Sequence, residues 1–125
     1  MPQKDPTILI VDDEFFLAET IKLRLESTGY QVLYAENGAE GVEMPRKNRP
    51  NLIIMDYLMP VMDGVEATKQ IKGDPTLAKI PIIFLTALAR PQDSEKAHAA
   101  GADDYLIKPF EMNDLTAMIQ KWLAH

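Results

Sequence analysis

The sequence predicts an α/β protein built on a doubly wound parallel sheet, and three observations carry that expectation. Five strand-length apolar runs alternate with segments of helical spacing. The third and fourth runs, residues 51–55 and 82–85, are almost wholly apolar, as strands buried on both faces must be. A length of 125 residues suits one such domain, in which roughly two-thirds of the unfolded surface can be buried.

The runs at residues 7–11, 31–35, 51–55, 82–85 and 104–107 are rich in Ile, Leu and Val and read as strands. Parallel neighbours need right-handed crossovers, and the intervening segments supply them. Leu17, Ile21 and Leu25 form one helical stripe, Val65, Thr68 and Ile71 a second, and Leu115, Met118, Ile119 and Trp122 a third. Gly29, Gly73 and Gly101 fall where helices should stop. Pro45 interrupts the helical pattern of residues 37–47, removing a backbone donor and crowding the preceding turn, so that helix is expected to be kinked or short.

Composition narrows the function classes. The chain is 46% hydrophobic, 26% charged and 7% aromatic, the profile of an ordinary globular protein. Thirteen basic against nineteen acidic residues give a net charge of -6, with no basic run to meet a phosphate backbone, so direct nucleic-acid binding is disfavoured. The absence of cysteine removes disulfides, thiolate metal sites and thiol nucleophiles and fits a reducing compartment. Apolar stretches fall well short of the ~20 residues of a membrane helix, and the first residues lack a secretory apolar core. A cytoplasmic location is therefore expected, with no membrane partner.

In open parallel sheets ligands bind beyond the carboxyl ends of the strands, and the residues found there are unusual. Asp12-Asp13-Glu14 follows the first run, Asp56 the third, Thr86 the fourth and Lys108-Pro109 the fifth. Carboxylates gathered at one edge raise one another's pKa unless a cation sits among them. An all-oxygen set without His or Cys suits Mg²⁺, which takes few carboxylates and favours phosphate oxygens as further ligands. Strands lie ~4.8 Å apart, so the short Thr86 hydroxyl can reach a group on Asp56 from the next strand, whereas Lys108 must cross two spacings. A cation, a hydroxyl and a metal around a carboxylate would neutralise a transferring phosphoryl group, with Asp56 as nucleophile. Taken singly, each residue has a plainer reading: Asp13 as a helix cap, Thr86 as a loop hydroxyl, Lys108 as a solvated charge.

Ile8 to Glu14, Leu52 to Gly64 (with Met55-Asp56-Tyr57-Leu58-Met59-Pro60 at its centre), Phe84-Leu85-Thr86-Ala87 and Gly101 to Phe110 resemble the four signatures of a response-regulator receiver domain, in order and over nearly the whole chain. The resemblance implies a flavodoxin-like sheet of order 2-1-3-4-5 with five helices, forming one domain over residues 1–125. It implies that Asp56 accepts phosphate from a sensor histidine kinase or a histidine phosphotransfer protein. Asp13, Asp56 and the Leu58 backbone carbonyl would bind Mg²⁺ directly, with Asp12 acting through water. Thr86 and Lys108 would contact phosphoryl oxygens, and the Lys108-Pro109 peptide would be cis. Thr86 would move inward on phosphorylation and Tyr105 would follow, remodelling the face of the fourth and fifth helices. The chain is thus expected to be a signalling switch that catalyses its own phosphoryl uptake and loss. With no output domain expected, the signal would pass to another protein or through self-association.

Leu58 and Leu88 stand two residues after Asp56 and Thr86, positions that in receivers flank the path of the hydrolytic water. Two leucines can screen that water but not orient it, so slow autodephosphorylation is expected. Phe16 and Leu23, seven apart on the first helix, form a second stripe with Phe15 near its site end. That stripe is either a docking patch for the phosphodonor or a core-margin Phe16 beside an isolated surface leucine. Met55, Met59 and Met62 read as packing, and His98 and His125 as solvated. A phosphohydrolase of the haloacid-dehalogenase kind is disfavoured because position 58 is leucine rather than a second aspartate. A scaffold without chemistry is disfavoured because every site residue is present, and flavin binding because Asp12-Asp13-Glu14 occupies the place of a phosphate-cradling loop.

Overall fold

The computed structural model describes residues 5–124. Its elements alternate strictly: β1 (Thr7–Val11), α1 (Phe15–Ser27), β2 (Gln31–Ala35), α2 (Gly38–Asn48), β3 (Leu52–Met55), α3 (Gly64–Lys72), β4 (Ile82–Thr86), α4 (Pro91–Ala100), β5 (Asp104–Ile107) and α5 (Met112–Leu123). All neighbouring strands are parallel, in the order β2-β1-β3-β4-β5. Chain order reverses between β1 and β3, which makes their carboxyl ends the switch point of the sheet.

Alternation along the central strands divides the core in two. Leu9, Val11, Ile53, Met55 and Phe84 meet Val42, Ala67, Ile71 and Ala97 on the face covered by α2, α3 and α4. Ile8, Ile10, Leu52, Ile54, Ile83 and Leu85 meet Ala18, Ile21, Leu25, Leu115 and Ile119 under α1 and α5. Each such aliphatic side chain, withdrawn from water, contributes roughly 1.5–3 kcal/mol. These two layers hold the strands in register and fix where the strand-end residues emerge.

Several expectations change in detail. On α1 the buried stripe is Ala18, Ile21 and Leu25, with Leu17 only half-buried. β4 extends through Thr86, because the Lys108 N–H donates to the Thr86 carbonyl at 2.8 Å and keeps that residue in the ladder. The expected shortening at Pro45 does not occur: α2 continues to Asn48, and the Arg49 N–H closes on the Pro45 carbonyl at 2.9 Å. Pro45 is buried there, so its packing offsets the lost donor. α4 carries no large apolar stripe, since it buries Ala97 and Ala100 together with Asp93. Gly101 ends it in the left-handed region at φ 114°, where a side chain would also strike Lys72.

Lys72 ties three segments together on the side away from the strand-end residues. Its Nζ donates to the Ala78 and Ile80 carbonyls and to Asp103 Oδ2 at 2.9 Å, and the same Asp103 oxygen accepts the Ile82 N–H. The opposite situation holds on α3, where the buried Thr68 hydroxyl has no hydrogen-bond partner among the described residues. An unsatisfied buried hydroxyl costs about 1–3 kcal/mol relative to an apolar group of the same shape. Thr68→Val is therefore expected to raise stability by about 1 kcal/mol in urea denaturation with an unchanged m-value; a loss of stability would contradict this account.

Candidate functional site

β1 and β3 are in register with Val11 opposite Met55, so Asp12 and Asp56 leave the sheet side by side. Their backbones carry the ladder one step further. The Asp56 N–H donates to the Val11 carbonyl at 2.9 Å, and the Asp12 N–H to the Ala35 carbonyl at 3.1 Å. Carboxylate oxygens of Asp12, Asp13 and Asp56 all lie within 4.8 Å of one another; Asp12 and Asp56 are buried and Asp13 is exposed. Asp13 caps nothing, since the N-cap of α1 is Glu14 and that helix has no side-chain cap.

The remaining strand ends close round this cluster. Thr86 is buried at the end of β4, and its hydroxyl accepts the Leu88 N–H at 3.2 Å. Lys108 follows β5, and its Nζ lies 3.3 Å from Glu14 Oε1 and 3.7 Å from Asp12 Oδ2. Among the described residues it forms no ion pair with Asp56, whose Oδ1 instead accepts the Tyr57 N–H at 2.8 Å. The Lys108-Pro109 peptide is cis.

Burial and crowding set the electrostatics. Desolvation, reinforced by the Asp12 charge, pushes the Asp56 carboxyl up to about 7, against the opposing pull of Lys108 and the Tyr57 N–H. Asp12 is also raised by burial, opposed by the Glu14 N–H and Lys108. Burial alone would lower the Lys108 ammonium, but the carboxylates of Asp12, Asp56 and Glu14 leave it raised. The site thus holds more negative charge than half-buried Lys108 balances.

The surrounding loops are apolar and in part strained. Leu58 is exposed, Leu88 half-buried, and Val61 stands at φ 73° with the Met62 N–H bonded across it to the Pro60 carbonyl. A positive φ on a β-branched residue is unfavourable, and the following Gly64 compensates by anchoring the loop. Its N–H donates to the Tyr57 carbonyl at 2.8 Å, and a side chain there would overlap the Asp56 carbonyl oxygen.

Sequence reasoning missed an aromatic line leading away from Asp56. Tyr57 meets Phe84 edge-on at 5.8 Å, and Phe84 stacks on Tyr105 at 6.1 Å. Tyr105 donates its hydroxyl to the Leu88 carbonyl, two residues past Thr86. The position of Tyr57 directly beside Asp56 was the available signal. Also missed was Asp93, which is 2% exposed and held by two bonds from the Arg90 guanidinium at 2.9 and 3.1 Å. On α1, Phe16 is 85% exposed and Leu23 65%, which overturns the reading of Phe16 as a core-margin residue. Its neighbour Phe15 instead turns an edge onto Tyr34. Met55 is buried and Met59 and Met62 pack on the core, as expected, and His98 is exposed; His125 lies outside the described residues.

A doubly wound sheet with a carboxylate cluster, a hydroxyl and a lysine at its carboxyl edge defines a class of phosphate-handling switch. The chain belongs to the response regulator receiver domain family, whose model matches residues 8–120. It is 39% identical to the phosphate regulon transcriptional regulatory protein PhoB of Pseudomonas aeruginosa, across 91% of this chain and 50% of that protein. It is 38% identical to protein PilH of the same organism, across 94% of this chain and 97% of that one. The chain therefore spans about half the length of regulators such as PhoB and nearly all of PilH. Among solved structures it resembles the receiver domain of a P. aeruginosa sensor histidine kinase, with TM-score 0.90, 36% identity and coverage of 97% and 99% of the two chains. That structure has magnesium coordinated in its active-site cleft. The fold and its strand order are those of these receivers.

The raised Asp56 pKa makes a statement about stability. Because the folded carboxyl binds its proton more tightly than the unfolded one, its stabilising effect is full below about pH 4 and is lost as pH rises through about 7. In metal-free buffer, the Tm advantage of Asp56→Asn over the parent should be small at pH 4, grow between about pH 4 and 7 and level off above that. Parallel Tm profiles across that range would contradict the assignment.

Proposed function

We propose that residues 1–125 form one phosphoacceptor switch in which Asp56 receives a phosphoryl group from a phosphohistidine of a sensor kinase or phosphotransfer protein. The observation that carries this reading is the convergence of Asp12, Asp13 and Asp56 within 4.8 Å beside Thr86 and Lys108, in a chain of the receiver family. An Asp56 carboxylate oxygen attacks phosphorus, the phosphorus–nitrogen bond breaks, and its electron pair stays on the donor imidazole. Thr86 and Lys108 contact the transferred phosphoryl oxygens. For Lys108 this means leaving Glu14 and Asp12, a short swing for its long stem.

The donor set fits a hard divalent cation: three carboxylates, no His or Cys, and an Asp56 carboxyl held up by burial and like charge. Asp13, Asp56 and the Leu58 backbone carbonyl would hold Mg²⁺, with Asp12 acting through water. When bound, Mg²⁺ neutralises the carboxylates and the incoming phosphoryl oxygens together.

Thr86 and Tyr105 form the switch. The Leu88 segment connects them, since its N–H is bonded to the Thr86 hydroxyl and its carbonyl to that of Tyr105. Displacement of Thr86 towards a phosphoryl group alters both bonds and shifts the population of α4–β5 packings. The exposed Phe15, Phe16 and Leu23 supply a docking patch for the donor. Output passes to a partner protein or through self-association, in the cytoplasm, without direct contact with nucleic acid or membrane. No described helix is long and apolar enough to cross a membrane.

Intact mass after incubation with a small acyl phosphate tests the chemistry. The expected result is gain of one phosphoryl group that needs both Mg²⁺ and Asp56, and its absence from the folded chain would refute this reading. Once loaded, the acyl phosphate should decay slowly, because Leu58 and Leu88 cannot orient water. Leu58→Asn combined with Leu88→Gln is expected to speed decay roughly tenfold, followed as loss of the phosphorylated mass; an unchanged lifetime would contradict this.

A further inference from the structure

β2 is an edge strand that contributes no side chain to the acidic site, yet it grips Asp12 from two directions. The Asp12 N–H donates to the Ala35 carbonyl at 3.1 Å, and the Asp12 carbonyl accepts the Tyr34 hydroxyl at 2.7 Å. The second bond is the informative one. The Asp12 carbonyl belongs to the peptide plane that joins Asp12 to Asp13, so a tether on that oxygen sets the orientation from which the Asp13 side chain departs.

Asp13 needs such help. Its neighbour Asp12 is buried and also held through Oδ1, which accepts the Glu14 N–H at 2.8 Å. Asp13 is exposed and makes no side-chain hydrogen bond among the described residues. Its only restraint is its backbone. The Tyr34 ring is itself fixed: it is half-buried with Val32 in the layer under α1, and it meets Phe15 edge-on at 6.1 Å. Phe15 opens α1 directly after the acidic turn, so the ring and the turn brace each other at both ends.

We infer that Tyr34 is a positioning residue for the cation site: through its hydroxyl on the Asp12 carbonyl it aims Asp13 at the space shared with Asp56. This rests on the proposed reading of the carboxylate cluster as a Mg²⁺ site and adds to it a residue that touches neither metal nor phosphoryl group. Removing outer hydrogen bonds that orient ligands typically weakens metal binding by ~10–100-fold. The tether here acts through one peptide plane on one exposed ligand, so the low end of that range applies.

Isothermal titration of Mg²⁺ into the full chain, compared with Tyr34→Phe, tests the inference, because that change deletes one oxygen and keeps the ring against Phe15. The expected result is a Kd weakened roughly tenfold. A second variant separates positioning from general loss of stability. Thr28→Val removes the hydroxyl that caps the far end of α1 on the Leu25 carbonyl, and it should lower the urea midpoint while leaving the Mg²⁺ Kd unchanged. Equal Kd values for the parent and Tyr34→Phe would overturn the inference while leaving the metal site intact. Weakening of Kd by Thr28→Val in proportion to lost stability would overturn it as well. A parent chain that binds no Mg²⁺ would refute the metal reading and this inference with it.

Discussion

Three carboxylates brought within 4.8 Å of one another would separate if the backbone allowed it, and the parallel ladder between β1 and β3 does not. Val11 and Met55 lie opposite each other inside two apolar layers, and one further ladder bond carries the constraint to Asp56. The stability of the hydrophobic core is thereby used to hold like charges together. The result is a site poised to take up a cation or a proton. Burial and repulsion raise the Asp56 carboxyl to about 7, and Lys108, shared with Asp12 and Glu14, compensates only in part.

The same sheet gives the site a route outward. Tyr57, beside Asp56, meets Phe84 in the middle of β4, and Phe84 stacks on Tyr105 in β5. Tyr105 returns to the β4–α4 loop at the Leu88 carbonyl, and the Arg90–Asp93 pair anchors the start of α4 just beyond. Thr86 meets the same loop by a separate contact, its hydroxyl accepting the Leu88 N–H while the Leu88 carbonyl accepts the Tyr105 hydroxyl. On the opposite flank β2 does quieter work, restraining the acidic turn from outside the site through Tyr34 and Ala35.

Much of this was legible in advance. Asp12, Asp13, Asp56, Thr86 and Lys108 each follow or end an apolar run, and strand ends of a parallel sheet converge on one edge, so run boundaries were enough to find them. α4 was not visible as a stripe because it packs with alanines, whose small side chains leave a weak periodic signal. Pro45 misled because its backbone cost was visible and its burial was not. Phe16 misled in the opposite sense: an aromatic in an amphipathic helix suggests the core, yet its angular position turns it to solvent.

The amino-acid sequence by itself determined the order of elements, the strand ends that carry chemistry and the receiver family, because each depends on local periodicity and on motifs contiguous in the chain. Only the tertiary structure decided who partners whom: Lys108 with Asp12 and Glu14 instead of Asp56, the Tyr34 hydroxyl with the Asp12 carbonyl, Arg90 with a buried Asp93. Those choices depend on distances of a few ångströms between segments far apart in the chain, or on burial that a short local sequence does not reveal. They are set by packing and charge in three dimensions, which no periodicity along the sequence encodes.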